Sequence, residues 1–82
     1  MTYEEFSKER ERNHEKRVPY IETLMSVEWK VKSIFTDYGK GNVSESKALK
    51  RLRSALFEWK DAQEAIDVLA EELCKLAKEV EF

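Results

Sequence analysis

The sequence predicts an all-α protein: an antiparallel helical hairpin with an extra N-terminal helix, dominated by one long C-terminal helix. Three observations carry this expectation. Glycine and proline together supply only three of 82 residues, and 39% of the chain is charged, a composition poor in the turns a β-protein needs. From Asn42 to Phe82 there is neither glycine nor proline. Across that stretch Leu49, Leu52, Leu56, Trp59, Gln63, Ile66, Ala70, Leu73, Ala77 and Val80 follow each other at steps of three and four. A second row, Ala48, Leu52, Ala55, Trp59, Ala62, Ile66, Leu69, Leu73, Leu76 and Val80, does the same one position over. Two such rows give a helix an apolar face broader than a simple two-stranded seam. A face of that width has to be covered.

The first helix is expected over about residues 2–16. Thr2 and Glu5 fit a capping box, and Glu4 to Lys8 has the favourable i, i+4 spacing. Only Tyr3 and Phe6 are apolar among these mostly charged residues, so the segment reads as a solvated helix or an arm that orders on contact.

Proline removes a hydrogen bond from a helix interior but is tolerated in a first turn, so Pro19 is read as the start of a second helix, about 19–38. Its stripe is Tyr20, Leu24, Val27, Val31, Ile34 and Tyr38, widened by Ile21 and Phe35. Gly39-Lys40-Gly41-Asn42 then forms the turn, 39–43, because glycine accepts the left-handed conformation that closes a helix. Asn42 with Glu45, or Ser44 alone, can cap the third helix, about 44–80. The whole, residues 1–82, reads as a single helical domain.

Packed antiparallel from the turn, Tyr38 falls near Ser44, Val31 near Arg51 and Tyr20 near Ala62. Beyond that point the third helix is expected to run on alone, leaving Ile66, Leu69, Leu73, Leu76 and Val80 bare. Its charges are also divided. Lys47, Lys50, Arg51, Arg53 and Lys60 against Glu45 and Glu58 give residues 44–60 a balance of +3. Asp61, Glu64, Asp67, Glu71, Glu72, Glu79 and Glu81 against Lys75 and Lys78 give residues 61–82 a balance of −5. That order opposes the helix dipole, so helix stability does not explain it. Two copies laid antiparallel with Gln63 at the crossing would pair each basic half with the other's acidic half. The expected architecture is therefore a homodimer, a dimeric four-helix bundle whose interface holds Gln63, Ile66, Leu69, Leu73, Leu76 and Val80. The alternative is a monomeric three-helix bundle with the first helix folded back over the second.

Little in the sequence carries chemistry. Glu11 and His14 have the Glu-x-x-His spacing of carboxylate-bridged metal bundles, but they sit among five basic side chains with no apolar shell. Cys74 has no base near it in the sequence and reads as a small hydrophobe. No nucleophile–base order, P-loop or paired Cys-x-x-Cys is present, and the Asp-Tyr-Gly-Lys-Gly-Asn loop follows no strand. No enzyme activity, metal or cofactor is expected. Lys40, Lys47, Lys50, Arg51 and Arg53 gather at the hairpin end, but the net charge is −2, unlike a dedicated nucleic-acid domain.

Trp29 and Met25 fall off the core stripe, and Phe57 lies among Arg53, Lys60, Asp61 and Glu64. Large aromatics beside charges resemble the anchors of protein interfaces. The expected function is a small non-enzymatic interaction protein, a regulator, inhibitor or adaptor, touching another protein through Trp29, Met25, Phe57, Tyr3 and Phe6. The alternative is a dimeric nucleic-acid-binding accessory protein using the basic hairpin end. No run of about 18 apolar residues would span a membrane. The N-terminal residues lack the apolar core of a signal peptide, and Cys74 has no partner for a disulfide, so the cytoplasm is the expected location.

Overall fold

Thr2 starts the first helix: its Oγ1 accepts a hydrogen bond from the Glu5 backbone N–H at 3.2 Å, and Glu4 and Glu5 sit in the first turn where the helix dipole favours acids. In the computed structural model, which describes residues 1–81, this helix, α1, runs unbroken over Tyr3–Gly39. The second, α2, covers Glu45–Ala77. Ser44 is its cap, with Oγ accepting from the Lys47 N–H at 3.3 Å, so Ser44 takes the role that Asn42 could also have filled.

The connection follows from Gly41. Its φ of +75° is the left-handed value that glycine adopts without steric cost. This lets the Gly41 N–H reach the Tyr38 carbonyl and the Asn42 N–H reach the Asp37 carbonyl, which satisfies two carbonyls left over at the helix end. The chain reverses, and the two helices lie antiparallel in a rod 60 × 15 × 14 Å.

The main departure from expectation is at Pro19. Residues expected as two helices, about 2–16 and 19–38, form one, with Pro19 inside it and exposed. Proline there withdraws only the N–H that would serve the Glu15 carbonyl. Against that local cost stands a continuous row, Tyr3, Phe6, Arg10, Asn13, Arg17, Tyr20, Leu24, Val27, Val31, Ile34 and Tyr38, whose steps of three and four pass Pro19 without interruption. A helix that kept this row facing α2 along its whole length gains more than a broken one. Neither a separate N-terminal helix nor a fold-back over the second helix is present among the described residues.

The surface expected to lie bare is consequently covered. Asn13 Nδ2 donates to the Leu69 carbonyl at 2.7 Å, and the Met1 amino group donates to the Glu79 carbonyl at 3.2 Å. Ile66, Leu69, Leu73, Leu76 and Val80, expected in an interface between copies, are half-buried within the hairpin alongside the N-terminal half of α1.

The seam is thin. Its buried residues are Asn13, Val27 and Ile34 from α1 and Ala48, Ala55 and Ala62 from α2, the alanines spaced seven apart. Counting by sevens from the Asn13–Leu69 bond sets Tyr20 level with Ala62, Val27 with Ala55 and Ile34 with Ala48. Small residues on one side of each layer let the backbones approach closely, but they bury little apolar area. The alanine row of α2 faces α1. Leu49 and Leu56, one position over, do not.

Candidate functional site

The hairpin has two unlike sides, and the division follows from the heptad positions flanking the seam. On one flank lie Lys30, Asp37, Arg51 and Glu58. Two ion pairs cross between the helices there, Lys30 Nζ to Glu58 Oε2 at 2.7 Å and Arg51 to Asp37 Oδ2 at 3.8 Å. Ser33 and Ser54 line the groove between them. Polar side chains bridge this side, over a groove that Trp29, Ile34 and Ala55 also line.

The other flank is apolar and open. Ile21, Leu24, Met25 and Val31 of α1 and Leu56 and Trp59 of α2 line one groove along it. Nearer the turn the same side continues through Phe35, Tyr38, Leu49 and Leu52. Ile21, Met25, Phe35, Tyr38, Leu49, Leu56 and Trp59 are all exposed. No cross-helix ion pair occurs on this side among the described residues. The charged Glu28 and Lys32 stand at its rim, paired with each other at 3.1 Å. Isolated exposed apolar residues are ordinary, but a contiguous strip of this kind marks a surface made to be covered.

Ile21 and Phe35 were expected to widen the stripe of the second helix, and Leu49, Leu56 and Trp59 to belong to the broad apolar face of the third. The exposure of Leu49 and Leu56, which belong to the first row alone, was legible in the doubling of the apolar rows. One neighbouring helix can cover one row, and the alanine row already takes it.

The other expected contact residues are scattered. Trp29 is 73% exposed at the edge of the groove on the polar flank, with Lys32 Nζ 5.8 Å from its ring centroid. Because the N-terminal residues continue α1 in line, Tyr3 and Phe6 do not fold over Trp29; Tyr3 is exposed and Phe6 half-buried near the far end. Phe57 is exposed on the outer face of α2, with the Arg53 guanidinium 5.8 Å from its ring centroid. Met25 is exposed at the rim of the apolar side.

The basic residues of the hairpin end, Lys40, Lys47, Lys50, Arg51 and Arg53, are all exposed but point in several directions around the rod. Arg51 is held by Asp37, and Arg53 lies over Phe57. Glu11 and His14 are both exposed, and among the described residues no three His, Cys, Asp or Glu side chains gather closely enough to hold a metal ion. Cys74 is a free, exposed thiol. No helix among the described residues is long and apolar enough to cross a membrane. No protein family, curated protein or solved structure matches this chain.

Proposed function

We propose that this chain is a small non-enzymatic interaction protein, a regulator, inhibitor or adaptor, that works by laying one side of its helical hairpin against another macromolecule. The observation that carries the reading is the asymmetry of the two flanks. One is crossed by the Lys30–Glu58 and Arg51–Asp37 ion pairs, and the other has no cross-helix pair among the described residues and presents Ile21, Phe35, Leu49, Leu56 and Trp59 to solvent. Packing helices against such a face buries aromatic and branched side chains presented on two preformed helices.

Two hairpins meeting through this side would complete a dimeric four-helix bundle. Trp29 and Phe57 point outward from such a bundle and remain free to anchor a further partner, with Lys32 and Arg53 keeping their rings partly wet. Tyr3 extends that outer surface at the far end of the rod, with Phe6 beside it only half-exposed.

The test is a Leu49→Glu, Leu56→Glu double variant. The unaltered chain should either associate through its apolar side or bind an apolar fluorescent dye there, and the variant should do neither while keeping its helical circular dichroism. An unaltered chain that is both monomeric and silent to the dye sinks the reading. For an outer-surface partner, Trp29→Ala or Phe57→Ala should abolish capture without changing the fold.

A further inference from the structure

We infer that the occupant of the apolar side is a second copy of this chain, in a single antiparallel register with its two-fold axis at Gln63. This rests on the docking reading above and names its partner.

Area is the first argument. The chain exposes 6513 Å² for a mass of 9.7 kDa. A compact monomer of that mass exposes roughly 5,100 Å². The excess, about 1,400 Å² per copy, is exposed along the 60 × 15 × 14 Å rod and lies within the roughly 1,000–2,500 Å² that each partner of an obligate homodimer buries.

Size is the second. Along the outward row of α2, Leu49 and Leu56 lie on the turn side of Gln63, while Ala70 and Ala77 lie at equal distances on the other. Turned about Gln63, Leu56 meets Ala70 of the partner subunit and Leu49 meets Ala77 of the partner subunit. Each large side chain faces a small one, which is how facing helices interdigitate.

Charge is the third, and it selects the same axis. At the edge of that row Arg53 and Lys60 precede Gln63, and Asp67 and Glu71 follow it. The same rotation brings Lys60 beside Asp67 of the partner subunit and Arg53 beside Glu71 of the partner subunit. Among the described residues neither Arg53 nor Glu71 has an ion-pair partner within its own chain. Gln63, half-buried and now donating to Asp67 Oδ1 at 3.0 Å, faces its own copy on the axis. A polar residue at that place penalises other registers. An unrelated helix would have no reason to match both the size pattern and the charge pattern about one residue.

The full chain should show a solution mass twice 9.7 kDa by light scattering. An Arg53→Glu, Lys60→Glu variant and an Asp67→Lys, Glu71→Lys variant should each be monomeric alone and dimeric when mixed, which also shows that both are folded. In a Gln63→Cys, Cys74→Ser variant, oxidation should link the two copies. The unaltered chain should form no linked dimer, because two Cys74 residues lie about 33 Å apart along the antiparallel pair. Linkage through Cys74 and not through Gln63→Cys overturns the register. A monomer that binds apolar dye through Leu49 and Leu56 overturns the second copy and leaves the docking reading standing. A dye-silent monomer overturns both.

Discussion

Asn13 Nδ2 donates to the backbone carbonyl of Leu69 at 2.7 Å, a bond that spans 56 positions of sequence and ties α1 to α2 across the seam. Its other polar atom, Oδ1, is buried without a partner, and so is Arg17 Nε one turn further on. A buried polar group costs about 1–3 kcal/mol when unsatisfied, against a net gain of roughly 1 kcal/mol for a bond made. Asn13 therefore fixes which layer of α1 meets which layer of α2, and it does so at the expense of stability.

Replacing it separates the two effects. Asn13→Leu should raise the unfolding free energy by about 1–2 kcal/mol, since the orphaned oxygen goes and apolar area is added. Urea unfolding followed by circular dichroism measures this directly. A loss of stability would mean that the Leu69 bond outweighs the orphan and that the seam has no room for the branched side chain.

What the sequence made legible, and what it hid, both turn on Pro19. Helicity, the Gly41 turn, the Thr2 and Ser44 caps and the pairing of Tyr20 with Ala62 all rest on local patterns, and local patterns are what a sequence carries. The continuation of α1 past Pro19 is a contest between a local cost and a long-range gain, spread over a row from Tyr3 to Tyr38 that includes Arg10, Asn13 and Arg17. Those three polar residues disguised the row. The bare surface was therefore expected at Ile66 to Val80, alongside which the N-terminal half of α1 lies, and Leu49 and Leu56 were not singled out as exposed. The sequence did hold the clue to the second side, since two apolar rows cannot both face one helix.

Pro19→Ala tests that contest. Alanine restores the N–H that the Glu15 carbonyl lacks and relieves the ring's clash with the preceding turn. A proline inside a helix costs about 3 kcal/mol relative to alanine, and here the chain has adapted to it. A gain of about 1–3 kcal/mol is expected, with no change in the association state. If stability is unchanged or falls, Pro19 relieves strain that the straightened helix would place on the Asn13 layer.

Lys30 and Glu58 form the tightest cross-helix ion pair at 2.7 Å, but both side chains remain about half in water, 51% and 43% exposed. An exposed pair contributes less than about 1 kcal/mol, and salt screens it. Glu58→Gln should lower stability by less than that, and the difference from the parent should shrink further between low and high salt. A salt-independent loss above about 1 kcal/mol would show that Glu58 holds the polar flank by packing rather than by charge.

Two adjacent residues of α2 offer the sharpest contrast, because they face opposite demands. Ala55 is 3% exposed in the seam, level with Val27, and Leu56 is 63% exposed on the open side. Ala55→Leu forces extra methylenes between backbones that alanine had let approach, and overpacking of this kind costs about 1–3 kcal/mol. It should push α1 and α2 apart and lower the midpoint of thermal unfolding at every protein concentration. Leu56→Ala removes a side chain that touches little within its own hairpin. If the apolar side were solvent-facing in the working protein, that change would leave stability within about 0.5 kcal/mol. If a second copy covers it, truncation leaves a cavity against Ala70 of the partner subunit, and the loss grows to about 2 kcal/mol or more per site. The two cases differ in a further respect. Only the second makes the midpoint of unfolding depend on protein concentration, rising with it in the parent and less so in Leu56→Ala, because mass action couples folding to association. Thermal unfolding of both variants across a hundredfold range of concentration therefore reads the seam and the open side in one experiment.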